Sequence, residues 1–168
     1  GSKMGFSDDE IGTLKQQASL ESANNPNQIG DAGRAQQDGG ASFGVMSVSS
    51  GFTDPNVFNG EYQAKFTDGS DVKVPDFFQL NGDGTAGEQS GNQIATNLAL
   101  GIEYMAENKQ KEGSMDGALR HYVNGPDTEA QRATDYVNKV NGADPNQQGD
   151  VSAGTAQPGT FNPDAVAA

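Results

Sequence analysis

Residues 17–31 read Gln-Ala-Ser-Leu-Glu-Ser-Ala-Asn-Asn-Pro-Asn-Gln-Ile-Gly-Asp. They hold the end of a helix, a carboxylate and a turn. Upstream, Ser7-Asp8-Asp9-Glu10 fits a capping box, with Ser7 as N-cap and Glu10 at the third helical position. Phe6 before the cap and Ile11 after it are placed as a hydrophobic staple. The acids of the first turn suit the helix dipole. Ile11, Leu14 and Ala18 then recur at spacings of three and four, the mark of a buried helical stripe. The next position on that stripe is Glu21. A carboxylate that follows an apolar face is partly desolvated, and desolvation raises its pKa. A raised carboxyl pKa suits a general acid near neutral pH. The plainer alternative is that the helix stops at Glu21 and the side chain turns into solvent.

Beyond this helix, residues 23–51 read as loop, rich in Asn, Pro and Gly. Within them residues 41–48 form a short apolar run, either a strand or a buried turn of helix. Residues 52–91 alternate aromatic and polar residues, and a hairpin from Tyr62 to Val74 around Asp68-Gly69 is expected. From about Gly91 the helical pattern returns through Ile94, Leu98, Ile102 and Met105, with Gly113 as the stop. Ser114 caps a short helix carrying Ala118, Leu119 and Tyr122, which ends at Gly125-Pro126. Thr128-Glu129-Ala130-Gln131 is a further capping box. It opens a helix with Ala133, Val137 and Val140 on one face, closed by Gly142. From residue 143 onward apolar periodicity is absent, so 143–168 reads as a flexible tail or linker. Residues 1–5 read as tag remnant and lead-in, with Gly1-Ser2 as a tag scar.

The 168 residues suffice for one domain with its own core, here residues 6–142. The hydrophobic fraction of 33% and the 23 glycines are lean and rich respectively, as expected when part of the chain is loop or tail. The net charge of −13 argues against nucleic acid, whose phosphates need Lys and Arg, and against an anionic membrane surface. With no Cys, disulfides and thiolate chemistry are excluded. No apolar run is long enough to span a bilayer, and no signal peptide is visible.

Glu-Ser-Ala-Asn-Asn-Pro, residues 21–26, resembles the catalytic motif of soluble, lysozyme-like lytic transglycosylases, in which Glu-Ser at a helix end is followed by Asn-Pro. The family's next block is a Gly-rich turn leading into Gly-Leu-Met-Gln. Here it is matched by Gly-Ala-Ser-Phe-Gly-Val-Met-Ser, residues 40–47. A helix containing Gly follows, matched by Asn-Leu-Ala-Leu-Gly-Ile-Glu-Tyr-Met, residues 97–105. Ala-Leu-x-x-Tyr-Asn-x-Gly-Pro is matched by Ala-Leu-Arg-His-Tyr-Val-Asn-Gly-Pro, residues 118–126. Tyr-Val-x-x-Val is matched within Asp-Tyr-Val-Asn-Lys-Val, residues 135–140. These five blocks stand in the family's order, and the resemblance spans roughly residues 8–141. The departures are local. Ser47 stands for the usual Gln, Ala23 for the usual Gly after Glu-Ser, and Val123 is inserted between Tyr122 and Asn124. Residues 32–39 and 52–91 are longer than the family needs.

The resemblance implies a mechanism. Glu21 protonates the glycosidic oxygen between N-acetylmuramic acid and N-acetylglucosamine, then as carboxylate takes the proton of the sugar's C6 hydroxyl. That hydroxyl closes on C1 and gives a 1,6-anhydro end without water. One carboxylate suffices, whereas ordinary glycosidases use two. Asp31 and Asp38 are the candidates for a second, although Asp in a turn usually bonds nearby backbone. The resemblance also places Tyr122 near Glu21, bonded to it or to substrate; an ordinary core tyrosine is the alternative. Ser42 and Asn124 are candidates to position an acetamido group or polarise Glu21, against a role as backbone caps. Met46 and Phe43 are read as core or cleft wall, and Met46 and Ser47 complete the candidate substrate-binding residues. His121, the lone His, is read as surface or structural, and no metal-ligand spacing is present. Asn81-Gly82-Asp83-Gly84-Thr85 resembles the start of a calcium loop, but the twelfth position is Ser90 rather than Glu, so a turn is expected.

The expected fold is mainly α (α+β), lysozyme-like, with a β-rich or irregular insertion at about 52–91. A cleft is expected between the Glu21 helix end and the Tyr122 helix. The expected function is cleavage of peptidoglycan glycan strands by lytic transglycosylation, without a cofactor, in the periplasm or cell wall. Two alternatives stand beside it: a hydrolytic muramidase using Asp31 or Asp38, and a non-catalytic structural or glycan-binding module. The polar tail and inserted loops point to a piece of a larger phage-virion or secretion assembly.

Overall fold

The computed structural model describes residues 4–30, 42–49, 63–65, 71–79, 81 and 85–146. Its architecture is mainly α. Helix α1 spans Asp8–Ser22, α2 Val74–Phe77, α3 Gly91–Glu112, α4 Met115–Asn124 and α5 Gln131–Asn141. Among the described residues five short strands lie between α1 and α2: β1 Ile29–Gly30, β2 Ser42–Phe43, β3 Val48–Ser49, β4 Gln63–Lys65 and β5 Asp71–Lys73. No helix among the described residues is long and apolar enough to cross a membrane.

Helix α1 begins as its sequence dictates. The Ser7 hydroxyl accepts from the Glu10 N–H at 3.3 Å, and the Glu10 carboxylate accepts from the Ser7 N–H at 2.7 Å. Phe6 and Ile11 are both buried in one core cluster with Leu14 and Ala18. Lys109, in the last turn of α3, donates to Glu10 at 2.8 Å and to the Gly5 carbonyl at 2.9 Å, joining the start of α1 to the end of α3. This lysine is the main reason the Glu10 pKa lies below its ordinary value.

Helix α3 opens with a capping box as well, Ser90 with Gln93, and ends at Gly113, whose φ of 77° is left-handed. Its stripe of Leu98, Ile102 and Met105 enters the same core as Ala118 and Leu119 of α4 and Val137 and Val140 of α5. Ser114 caps α4 through the Gly117 N–H at 3.0 Å, and α4 stops at Gly125.

Helix α5 departs from the expected start. It begins at Gln131 with Ala130 as N-cap and no side-chain cap bond. The Thr128 carbonyl accepts from the Arg120 guanidinium at 3.2 Å, and the Gln131 amide bonds Asp135 at 2.9 Å instead of reaching back. The Thr-x-x-Gln pattern therefore makes no capping box: the Thr128 carbonyl serves Arg120, and Gln131 bonds forward along its own helix. The apolar face of Ala133, Val137 and Val140 is nevertheless buried as its spacing predicts.

Residues 42–49 form a tight hairpin. Strands β1, β2 and β3 form a small antiparallel sheet in which Phe43 pairs with Ile29 and with Val48. Phe43 also packs on Phe77 and Phe78, with ring centroids at 6.4 and 5.0 Å, which fastens the hairpin to α2. Strands β4 and β5 pair antiparallel with Lys65 opposite Asp71, and the turn expected at Asp68-Gly69 lies outside the described residues. Asn81 bonds the Thr85 carbonyl, the Thr85 hydroxyl and the Ala86 carbonyl, so its donors serve a turn. Among the described residues no cluster of His, Asp and Glu is suited to hold a metal.

Candidate active site

Three segments meet at Glu21. The first is the exit of α1. Ser22 is buried, and its hydroxyl donates to the Ala18 carbonyl at 3.0 Å and the Val45 carbonyl at 2.9 Å. The helix runs one residue past Glu21, then turns through Ala23 and Asn24, with φ of 50° and 58°. Left-handed backbone is costly for residues with a Cβ, by about 1–2 kcal/mol. Asn25 closes the next turn by accepting from the Asn27 N–H at 2.9 Å.

The second segment is the turn between β2 and β3, residues 44–47. Gly44 has φ of 73°, and a Cβ there would sit 2.6 Å from the Asn97 side chain. Asn97, buried on α3, donates to the Phe43 carbonyl at 2.8 Å and accepts from the Met46 N–H at 3.3 Å. One turn further along α3, Gly101 lies so close to Met46 that an added Cβ would fall 2.5 Å from the Met46 Cβ. These contacts press the turn onto α3. They leave Ser47, with φ of 47°, against Glu21, where its hydroxyl donates to the Glu21 main-chain carbonyl at 3.5 Å.

The third segment is a tyrosine pair. Tyr122 of α4 donates to the Met46 carbonyl at 3.1 Å, and its ring stacks on Tyr136 of α5 with centroids 5.9 Å apart. Tyr136 in turn donates a hydrogen bond to Glu21 Oε1. So the tyrosine bonded to Glu21 is Tyr136, while Tyr122 supports it from behind. Tyr136 belongs to the 135–140 block but carries no signal of its own beyond sharing the Ala133–Val137 face. Tyr104 extends the ring stack outward, 6.0 Å from Tyr122.

Burial pushes the Glu21 pKa above its ordinary value, and this outweighs the opposing effect of the Tyr136 and Ser47 hydrogen bonds. Both tyrosines are pushed upward, first by burial and next by the Glu21 charge, so both remain donors. Within the fold, then, the α1 stripe ends in a carboxyl held by a neutral phenol rather than in a solvated side chain.

A depression of about 820 Å³ opens on Glu21 between the C-terminal ends of α1 and α5. Ser19, Ala23, Asn25, Gln28, Lys139 and Asp144 are among its lining residues. The expected cleft toward α4 differs from this, because Tyr136 stacks on Tyr122 and stands between that helix and Glu21. Residues 143–146, expected as tail, pack on α1. Gln16 donates to the Ala143 carbonyl, Ser19 to the Asp144 carbonyl and Asn24 to the Pro145 carbonyl. Asp144 brings a carboxylate to the rim of the depression, and its Oδ1 accepts from the Asn146 N–H at 2.9 Å.

The remaining candidates fall as follows. Asn124 donates to the Asp127 carbonyl at 2.9 Å and serves the turn after α4. Ser42 pairs with Gly30 and Ser49 in the small sheet. Met46 is buried core whose carbonyl, rather than side chain, serves the site. His121 pairs with Glu112 at 2.7 Å. Asp31 and Asp38 lie outside the described residues.

No protein-family model, curated protein or solved structure matches the chain.

Proposed function

We propose that the protein is a lysozyme-like lytic transglycosylase that cleaves the N-acetylmuramic acid–N-acetylglucosamine bond of peptidoglycan with Glu21 as general acid and base. The observation that carries this reading is the partly buried Glu21 carboxyl, held through Oε1 by the Tyr136 hydroxyl at the rim of an open depression. The convergence of the resembling blocks supports it. Gly44 and Ala23 are left-handed where the family has Gly, Gly101 receives Met46, and Tyr122 and Tyr136 link two further blocks to the turn and to Glu21.

In this mechanism the Tyr136 bond fixes Oε1 and leaves Oε2 to carry the acidic proton. That proton passes to the glycosidic oxygen as the bond to C1 breaks. The resulting carboxylate keeps the Tyr136 bond and takes the proton of the C6 hydroxyl as O6 bonds C1. Glu21 ends protonated again, and no water enters the product. A folded Glu21→Gln protein should lose about 10²–10⁴-fold of its activity on purified peptidoglycan. Undiminished turnover by that variant would exclude Glu21 as the acid. The setting proposed for this activity is the periplasm or cell wall, within a phage-virion or secretion assembly.

Hydrolysis is the second reading, and Asp144 is the observation that favours it, since it shares the depression with Glu21. An activated water between two carboxylates would give reducing ends instead.

A further inference from the structure

Gln17 lies on α1 one helical turn before Glu21, on the same face, and is 0% exposed. Its amide Nε2 donates to the Tyr136 hydroxyl oxygen at 3.4 Å and to the Met105 sulfur at 3.6 Å. Its Oε1 has no hydrogen-bond partner among the described residues. A buried carbonyl without a partner costs about 1–3 kcal/mol. An apolar side chain would fill this place more cheaply if packing were its only task. The orientation has one evident consequence. An N–H pointed at the Tyr136 oxygen occupies its acceptor side, so the phenolic proton is directed to Glu21.

We propose that Gln17 is a positioning residue that holds Tyr136 as a donor to Glu21 and so sets the proton affinity of the general acid from one turn below. This deepens the function proposed above and rests on it for its catalytic meaning. Donation into the phenol oxygen polarises its O–H and strengthens the bond to the Glu21 carboxylate, by about 10–30% on general grounds. Removing the amide therefore weakens the carboxylate form and raises the Glu21 titration midpoint. The titratable groups facing Glu21 are Tyr136 from α5, Tyr122 behind it on α4, and Lys139 and Asp144 along the depression. Tyr104 on α3 reaches the group only through Tyr122. Of these groups it is Tyr136 that accepts a hydrogen bond from Gln17, so the effect passes through that hydroxyl.

The test is a carbon-detected NMR titration of the Glu21 carboxyl, its resonance assigned with Glu21→Gln. It is run on wild type, Gln17→Met, Tyr136→Phe and the double variant. Gln17→Met should raise the midpoint by a few tenths of a pH unit and leave thermal stability unchanged or higher. In the Tyr136→Phe background the same substitution should leave the midpoint where it was. An unmoved midpoint in the wild-type background overturns the proposal, and so does an equal shift in both backgrounds. Gln17→Leu is the second variant; failure of both to fold would make the amide structural and also overturn it. The titration needs no turnover. An inactive protein with the expected shifts would sink the proposed function alone, and an active protein with an unmoved midpoint would sink this inference alone.

Discussion

Substituting Gly101 by alanine should lower stability, although the same change in an open helical site should raise it. The Cβ added at position 101 falls 2.5 Å from the Met46 Cβ and 2.8 Å from its Cγ. Carbon atoms in favourable contact stand about 3.5–4.0 Å apart. The 44–47 turn must therefore retreat from α3 by about 1 Å, and rotation of the Met46 side chain cannot relieve a clash at its Cβ. Overpacking of this kind costs about 1–3 kcal/mol. Alanine returns about 1 kcal/mol of helix propensity. Because the clash is anchored at the backbone, the upper part of that range applies, for a net loss of about 1–2 kcal/mol. In a domain of this size that lowers Tm by about 2–8 °C. Gly12 on α1 is the control: nothing lies within 4 Å of a Cβ there, so Gly12→Ala should gain about 0.4–1 kcal/mol. Paired thermal melts at pH 7 read both. The retreat also carries the Met46 carbonyl away from Tyr122, so the proposed glycan cleavage should weaken as well. A Gly101→Ala protein that melts at or above wild type would refute the packing of the turn on α3.

Further outcomes follow from the same geometry. Glu21→Gln should stabilise the fold near neutral pH by about 0.5–2 kcal/mol, as removal of a desolvated catalytic group often does. The sign comes from linkage: the unfolded chain ionises at the ordinary value of 4.5 and the folded carboxyl only above it. Wild-type stability then falls as pH rises between the two, so the variants' denaturation curves should converge below about pH 4.5 and separate above it. A variant less stable than wild type at pH 7 would contradict the burial account. Asn97→Ala should cost about 1–3 kcal/mol, because the Met46 N–H loses its Asn97 acceptor and the Phe43 carbonyl loses one donor. Urea denaturation measures it, and a loss under 1 kcal/mol would show that those groups find other partners. Ala23→Gly should raise stability by up to about 1 kcal/mol in the same assay, because the cap is left-handed; a loss would mean that chain entropy outweighs the strain.

Much of the helical frame was legible because its determinants are local. Capping boxes, stripes at three and four, and glycine stops lie within a few residues of what they specify: α1, α3 and α4 begin, and α3 and α4 end, where those signals stand. The start of α5 was misleading for the same reason. Thr128 and Gln131 satisfy a local pattern, but Arg120 and Asp135 claim them. Glu21 was legible because a carboxylate on a buried stripe violates the helix's own pattern. Its partner was not. Tyr136 lies 115 residues away, and the choice between two neighbouring tyrosines on α4 and α5 depends on how those helices pack. Gln17 is a polar residue on a mixed face, and only the position of Tyr136 gives it meaning. The aromatic seam of Phe43, Phe77 and Phe78 is likewise set by tertiary contact, not by periodicity.

The central claim is that a single carboxylate cuts the glycan without water. It is tested most directly by digesting purified peptidoglycan in ¹⁸O-enriched water and resolving the fragments by mass spectrometry. The account predicts 1,6-anhydro-muramic acid ends, lighter than reducing ends by one water and free of the label. Labelled reducing ends would contradict it and move the search to Asp144, Asp31 and Asp38. Intact glycan after digestion with folded protein would contradict it as well, and would leave a structural module built on the same fold.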